Sequence, residues 1–301
     1  MLALRYHQFG EPEVMTVEDA PEPQAGPGQI RVAVRATSVN PFDWKVRAGY
    51  MAEVVPVDFP VIPGTDAAGV VDQVGVGVTG VAVGDAVFGL GSATTAEYAV
   101  LDLFAAKPDR MTFVQAAAVG LVVETAARAL DRLTLTAGDT VLVDGAAGGV
   151  GSALVQLARS RGLDVIGTAS AGNHAYLESL GARPTTYGPG LRERVAELAP
   201  GGVAGAVDVV GHGSIPELIT IVGEPTRVAT VADFTAYGLG VHVADTSTGR
   251  AGYALAEVAR LFTDGAFTVR VEQTFPVKEG AQAHRLSQQG HVTGKVVITL
   301  P

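Results

Sequence analysis

Residues 140–158 constrain the fold of this chain more than any other part of its sequence. A short apolar run, residues 141–143, ends at Gly145, and further glycines follow at positions 148, 149 and 151. Apolar residues then recur at helical spacing, at positions 150, 154, 157 and 158. This order predicts a strand, a glycine turn and the start of a helix, which is the arrangement that holds a dinucleotide pyrophosphate.

The segments around this turn decide whether it is evidence for a nucleotide-binding site. Glycine makes up 38 of the 301 residues, so glycine spacing alone is weak evidence. Further strands are predicted over residues 164–170, 205–211 and 227–231, with helices over 172–180 and 191–198 between them. Strands that alternate with helices favour a parallel, doubly wound sheet. The alternative is a glycine-rich turn in an α/β protein that binds no nucleotide.

The composition is that of a folded protein with an acidic balance. The chain is 48% hydrophobic and 17% charged, which argues against disorder, and its net charge of −10 disfavours nucleic acid or an anionic membrane as a partner. The N-terminus has no basic segment followed by a long apolar stretch. The apolar run over residues 116–123 is too short to span a bilayer, so we expect a cytoplasmic protein.

The sequence predicts two domains, the first of which is interrupted by the second. The first ~115 residues are rich in short strands separated by Pro and Gly, as in a small irregular β-barrel. The C-terminal part predicts two further helices and two strands, the last over residues 295–300. We therefore expect a substrate domain over residues 1–119 and 248–301 and a nucleotide-binding domain over 120–247. A ligand cleft is expected between them, because domain interfaces are favoured small-molecule sites.

Several motifs resemble those of one family. Residues 38–49, SVNPFDWKVRAG, resemble the substrate-domain loop of quinone oxidoreductases of the zeta-crystallin type, within the medium-chain dehydrogenase/reductase superfamily. Residues 62–71 and 83–89 are similar to the next two signatures of that family, and AAGGVG at 146–151 is typical of its NADPH-using branch. The tail, with GKVV at 294–297, matches as well. The resemblance implies a GroES-like irregular β-barrel and a Rossmann doubly wound parallel sheet.

A metal is not expected. Zinc-dependent members of the same superfamily carry a Cys in the first of these loops and Gly-His-Glu in the second. Here Asn40 to Asp43 occupy the first region and Gly64 to Asp66 the second, and the chain has no cysteine. None of the six histidines lies in a metal-ligand motif. Without a Lewis acid, hydride addition to a quinone or an activated C=C bond is favoured over alcohol–ketone interconversion.

Four residues are candidates for the catalytic chemistry. The resemblance implies that Asn40 lies beside the nicotinamide and the substrate oxygen, where its amide polarises a carbonyl; the alternative is an Asx turn before the following proline. Lys45 and Tyr50 are candidate proton donors, with water as the alternative. Glu124 is the fourth candidate, although an acid in the first turn of a helix is commonly a partner of the helix dipole.

The same loop holds an acid and a base four positions apart, Asp43 and Arg47. Opposite charges at this spacing ordinarily pair on a helix. We therefore expect a local ion pair that organises a short helical turn.

The cofactor site is predicted from the ends of strands. NAD-binding sites usually place an acid at the end of the second strand, and residues 165–177 contain none. Ser170, Asn173 and His174 are donors there, which suits the 2′-phosphate of NADPH; their alternative role is to cap a helix. Tyr187 matches a family residue at the adenosine phosphate, and Thr125 one at the nicotinamide carboxamide. The resemblance implies further NADPH contacts from Asn40, Ala147, Gly148, Gly149, Val150, Gly151, Val210, Gly211, Val231 and Lys295.

These features predict an NADPH-dependent oxidoreductase that transfers hydride to a quinone or an α,β-unsaturated carbonyl without a metal. The alternative is an NADPH-binding protein without reductive activity, such as a cyclase or a crystallin-like binding protein. The resemblance adds a homodimer, joined at an edge strand near residues 237–243 because exposed edges tend to find partners. The sequence does not name the small-molecule substrate.

Overall fold

The computed structural model describes residues 1–301, except for the side chain of Thr248. Its strands are β1 (Leu2–Tyr6), β2 (Met15–Asp19), β3 (Ile30–Val39), β4 (Asp66–Val74), β5 (Ala86–Ser92), β6 (Tyr98–Ala106), β7 (Thr140–Asp144), β8 (Asp164–Thr168), β9 (Arg183–Thr185), β10 (Gly205–Asp208), β11 (Val228–Thr230), β12 (His242–Val243), β13 (Val271–Pro276) and β14 (Lys295–Thr299). Its α-helices are α1 (Pro41–Arg47), α2 (Phe113–Ala117), α3 (Gly120–Leu130), α4 (Gly149–Ser160), α5 (His174–Ser179), α6 (Leu191–Leu198), α7 (Ile215–Val222), α8 (Tyr253–Thr263) and α9 (Gly280–Gln289).

The chain divides into two compact units. Unit 1 comprises Met1–Leu121 and Leu255–Pro301, and unit 2 comprises Val122–Ala254. The sequence had placed the two joins at 119/120 and 247/248. Within the described part of the chain, no helix combines the length and the apolar character needed to cross a membrane.

Unit 1 is built on an irregular antiparallel barrel. Strands β3, β4, β5 and β6 pair in sequence, and β6 pairs back onto β3, with Ile30 opposite Leu101, which closes the ring. Strand β14 pairs antiparallel with the other end of β3, and β13 lies parallel beside β14. Alternate residues of β3, such as Ile30, Val32 and Val34, are buried in the core, as a half-buried strand requires. The predicted GroES-like barrel is confirmed.

Unit 2 is a six-stranded parallel sheet in the order β12–β11–β10–β7–β8–β9. The chain proceeds outward from β7 through β9 and then returns to the other side of β7 with β10. Apolar residues from strands and helices, among them Leu142, Ile166, Leu191 and Leu218, form its core. The doubly wound parallel sheet is confirmed, and its strand order reverses between β7 and β10.

Two predicted segments differ in the structure. Residues 237–243 are not one strand, because Phe234–Leu239 forms a 3-10 helix and only His242–Val243 pairs with β11. The sequence suggested that Glu124 lies in the first turn of a helix, but α3 begins at Gly120, so Glu124 lies beyond that turn. Glycine is a poor helix former, and the sequence signal for this start was correspondingly weak.

Candidate functional site

The glycine turn of unit 2 has the geometry of a cradle for an anion. Strand β7 is followed by Gly145, whose φ of 87° is readily adopted only by glycine. A Cβ atom on Gly151 would lie 2.3 Å from the carbonyl oxygen of Gly145, so glycine there lets helix α4 close on the turn. Helix α4 begins after an extended Gly148, and the N–H groups of residues 149–151 have no acceptor within the helix. These donors, at the positive end of the helix dipole, fit a pyrophosphate.

A buried aspartate at the end of β7 fixes this turn. Asp144 accepts a hydrogen bond of 2.5 Å from Thr168 Oγ1, which in turn accepts one of 3.0 Å from the N–H of Gly145. Because Thr168 ends β8, these bonds tie the turn to the neighbouring strand. Asp144 was not predicted from the sequence, although an acid that closes an apolar strand is a detectable signal, since buried carboxylates require partners.

The residues predicted to contact the cofactor after β10 and β11 lie at the same edge of the sheet. Val210 and Gly211 follow β10, which pairs with β7, and Val231 follows β11, which pairs with the other side of β10. Asp208, the buried last residue of β10, accepts hydrogen bonds of 2.9 Å from the N–H groups of Val210 and Gly211. The loop after β10 is therefore fixed beside the reversal of strand order, where open α/β sheets bind their ligands.

The three donors predicted for a 2′-phosphate form one group at the ends of β8 and β9. The last residues of these strands pair, and Ser170 and Tyr187 each lie two positions further on. Asn173 Nδ2 donates to Ser170 Oγ at 3.3 Å. His174 Nε2 is buried and has no hydrogen-bond partner among the described residues.

Arg194, which the sequence analysis did not single out, shapes the loop that carries Tyr187. Its guanidinium donates to the carbonyl oxygens of Thr186 at 2.8 Å, Gly188 at 3.2 Å and Pro189 at 2.8 Å. The loop after β9 is thereby held in place. Arg194 also supplies a positive charge near the end of β9, a charge that the segment between β8 and α5 lacks.

In unit 1 the register of β14 against β3 brings Lys295 to Asn40. Val296 pairs with Val39, and Lys295 Nζ donates to Asn40 Oδ1 and, at 3.3 Å, to the carbonyl oxygen of Val39. Lys295 is 6% exposed and Asn40 is 3% exposed. An ammonium group only donates, so the amide oxygen must face it. The Nδ2 atom of Asn40 is buried and has no hydrogen-bond partner within the described part of the protein.

Asp43 lies next to this pair and closes the start of α1. Its carboxylate accepts hydrogen bonds from the N–H of Asn40 at 2.7 Å and from Thr65 Oγ1 at 3.1 Å. Burial raises the pKa of Asp43 to about 6, and the charge of Asp66 adds to this, against the opposing effect of the two hydrogen bonds. Asp43 thus holds the backbone of Asn40 while Lys295 holds its side chain.

Asp66 is the second buried carboxylate of this cluster. It accepts hydrogen bonds from Ser38 Oγ at 2.7 Å and from the N–H of Leu121 at 3.3 Å. Burial lowers the pKa of Lys295, and the charges of Asp66 and Asp43 oppose that effect. The cluster therefore holds one ammonium group with two acids close enough to influence its titration.

The prediction of an ion pair between Asp43 and Arg47 is wrong. Asp43 uses its oxygens on Asn40 and Thr65, whereas Arg47 Nη2 donates to Gln288 Oε1 of α9 at 2.6 Å. Helix α1 has only seven residues, and its acid is drawn back to the N-terminus as a cap. The burial of Arg47 against α9 outweighs the attraction that spacing alone would predict.

Lys45 and Tyr50, the candidate proton donors, share one aromatic neighbour. Lys45 Nζ lies 5.7 Å from the ring centroid of Trp44, and the ring of Tyr50 meets the same ring edge-on at 6.3 Å. Tyr50 is 70% exposed. Lys45 lies within α1 and Tyr50 lies three residues after its end. Helix α1 itself begins directly after Asn40.

Glu124 is fully engaged within unit 2. It is 1% exposed and accepts hydrogen bonds from Arg128 Nε at 2.9 Å, from Arg128 Nη2 at 3.1 Å and from the N–H of Ala251 at 3.0 Å. Arg128 also contacts Thr125 Oγ1 at 3.4 Å. Both oxygens of Glu124 are thus bonded, which is the arrangement of a buried structural ion pair.

The residues present do not fit zinc. The chain contains no cysteine, and Asp66, in the region where zinc-dependent members carry Gly-His-Glu, spends both oxygens on hydrogen bonds. Among the described residues, no group of three or more His, Asp or Glu side chains could hold a metal ion.

Two family models match the chain. The alcohol dehydrogenase GroES-like domain matches residues 26–105, and the zinc-binding dehydrogenase model matches residues 168–298. The second description names a metal for which this chain lacks the ligands.

Individual relatives and solved structures agree with these models. The pikromycin polyketide synthase component PikAII of Streptomyces venezuelae is 37% identical over 307 residues, which cover 94% of this chain and 8% of that protein. Quinone oxidoreductase of Rattus norvegicus is 39% identical over 178 residues, which cover 56% of this chain and 53% of that protein. The structure of Escherichia coli quinone oxidoreductase in complex with NADPH matches with a TM-score of 0.85 at 25% identity, covering 99% of this chain and 100% of that one.

The chain spans about half the length of the rat relative and less than a tenth of the synthase. The match to the solved structure extends over nearly the whole of both chains. An alcohol dehydrogenase superfamily protein from Novosphingobium aromaticivorans is 30% identical over the whole of both chains, with a TM-score of 0.87. The chain therefore belongs to the medium-chain dehydrogenase/reductase superfamily, and it is similar to quinone oxidoreductases within it.

Proposed function

We propose that this protein is an NADPH-dependent oxidoreductase that passes hydride to a quinone or an α,β-unsaturated carbonyl. The observation that carries the proposal is the amide of Asn40, buried with its oxygen held by Lys295 and its Nδ2 left as a donor. Such a donor polarises a carbonyl oxygen and stabilises the negative charge that grows there when hydride adds to the conjugated carbon. The NADPH-bound E. coli relative and the cradle of unit 2 support the choice of cofactor.

The residues of this chain position the cofactor and the substrate and polarise the substrate carbonyl, while NADPH, when bound, supplies the hydride. The N–H groups of residues 149–151 would hold the pyrophosphate. Ser170, Asn173 and His174 would hold the 2′-phosphate, and Thr125 the carboxamide of the nicotinamide. No step needs a metal.

Reduction also requires a proton, which an enone takes at the carbon next to its carbonyl and a quinone takes at oxygen. Lys45 and Tyr50 are the side chains that we assign as candidate donors, with water as the alternative. Glu124, which the sequence also suggested, is better assigned to its ion pair with Arg128. Both of its carboxylate oxygens accept hydrogen bonds from Arg128, so neither is free to exchange a proton.

The proposal is tested by following NADPH oxidation with a panel of quinones, enones and simple ketones. We expect turnover with quinones or enones and none with simple ketones. Reducing a simple ketone needs the strong carbonyl polarisation that a Lewis acid provides, and here a single amide donor takes its place. Dialysis against a strong chelator should leave the rate unchanged. Loss of activity that zinc restores would contradict the metal-free mechanism. NADPH binding without turnover of any acceptor would favour a cyclase or a crystallin-like protein.

We expect NADPH to bind more tightly than NADH. The 2′-phosphate can accept hydrogen bonds from Ser170, Asn173 and His174, and bonds to a charged group contribute about 1.5–3 kcal/mol each. Losing one or two of them should weaken binding about tenfold or more. Ser170→Asp should reverse the preference, because its carboxylate repels the phosphate. Fluorescence titration with both cofactors measures this, and equal affinities in the wild type would refute the assignment.

We also propose a homodimer that pairs through β12, the edge strand of the unit 2 sheet. The strand is only two residues long, and the exposed Tyr237 and Leu239 precede it. An unpaired edge flanked by apolar side chains favours pairing with a second copy. Light scattering at micromolar concentration should give twice the chain mass, and a monomer mass would exclude this assembly.

A further inference from the structure

Lys295 was expected from the family resemblance to contact the cofactor, but its surroundings point to a different task. It is buried, and both of its described hydrogen bonds are made to the end of β3 and to Asn40. Its ammonium group therefore donates to Asn40, the side chain that the proposed function places at the substrate oxygen.

We propose that Lys295 is a positioning residue, which fixes the rotamer of the Asn40 amide and strengthens its Nδ2 as the donor to the substrate carbonyl. The inference rests on the proposed function. An amide side chain can present either its oxygen or its nitrogen to a ligand, and the two faces differ little in shape. A buried ammonium group on one side removes this ambiguity, because only the oxygen can accept from it.

The ammonium group also acts through the amide. A hydrogen bond from a charged donor to Oδ1 draws electron density toward that oxygen, and hydrogen bonds in a chain polarise one another at low dielectric. The N–H groups on the other side of the amide become better donors as a result. A lysine that never touches the substrate would then supply part of the charge stabilisation that a metal provides in zinc-dependent members of the superfamily.

The rest of the cluster supports the arrangement. Asp43 holds the backbone N–H of Asn40 at 2.7 Å, so backbone and side chain are fixed by different partners. Asp43 and Asp66 are the acids whose charges influence Lys295 and favour its protonated form. Asn40 is thus fixed by a cation at its side-chain oxygen and by an anion at its backbone N–H, with Nδ2 as the unbonded atom of its amide.

A double-mutant cycle separates positioning from cofactor contact. Lys295→Met should lower kcat about tenfold or more and leave the Kd for NADPH within about twofold, whereas a cofactor contact would raise that Kd. In an Asn40→Ala background the same change should have little further effect, because Lys295 acts through Asn40. Losses that multiply in the double variant would overturn the inference. Lys278→Met, which removes an exposed lysine of unit 1, is the matched control.

An NMR measurement tests the same inference without turnover. The chain has two asparagines, Asn40 and Asn173, so side-chain labelling of asparagine with ¹⁵N gives two amide pairs, assigned by Asn40→Asp. The Asn40 pair should be as rigid as the backbone in the wild type and mobile in Lys295→Met, with Lys295→Arg restoring part of the rigidity. A mobile Asn40 pair in the wild type would overturn the inference even if Lys295→Met fails to fold. Absence of turnover with a rigid pair would instead refute the proposed function alone.

Discussion

Replacing Asn40 by alanine is expected to lower kcat/KM for a quinone or enone about 100-fold. Removing one preorganised donor to a developing oxyanion ordinarily costs 10²–10³ in rate, and Asn40 is the buried amide of unit 1 with an unbonded donor. The loss should fall mainly on kcat, because the bond strengthens as charge develops. Steady-state kinetics with saturating NADPH measures it.

The other asparagine provides the control for this experiment. Asn173→Ala should raise the Kd for NADPH and leave kcat at saturating cofactor within about twofold, because it removes a phosphate contact rather than a contact to the reacting atoms. If Asn40→Ala changed only the affinity for NADPH, Asn40 would be a cofactor contact and the carbonyl donor would have to be sought elsewhere.

The second large effect concerns stability in acid. Burial, with a smaller contribution from the charge of Arg47, lowers the pKa of His284 to about 3. The folded protein then holds fewer protons than the unfolded chain between about pH 3 and the ordinary histidine pKa near 6.5, so stability falls as the pH drops through this window. His284→Leu should remove this dependence. From pH 7 to 4.5 the variant should gain about 2–3 kcal/mol relative to the wild type.

The comparison must be made between variants, because Asp43 acts in the opposite direction. Its pKa is raised to about 6, so the folded protein binds its proton more tightly and gains stability as the pH falls toward 4. The difference between His284→Leu and the wild type cancels this contribution. Urea unfolding at the two pH values measures the difference. His291→Asn, which replaces an exposed histidine at a positive φ that asparagine tolerates, is the matched control. Parallel pH curves for His284→Leu and the wild type would contradict the prediction.

The sequence by itself determined the features that depend on neighbouring residues. The glycines after residue 143 allow only a tight turn into a helix, and the alternation of apolar strands with helices leaves a parallel sheet as the way to bury both faces. The helix over Leu191–Leu198 was predicted at its observed bounds for the same local reason. The absence of cysteine removed the thiolate ligands of zinc without reference to any fold.

Only the tertiary structure decided how the candidate residues of unit 1 meet. Asn40 and Lys295 are 255 positions apart, and each could be singled out from its motif, but their contact exists because β14 pairs antiparallel with the end of β3. The loss of the expected pair between Asp43 and Arg47 has the same origin, since α9 takes up the guanidinium. Local spacing predicts what adjacent residues can do. Burial then decides which partners each charge receives, because a charge removed from water must bond to whatever the fold brings within reach.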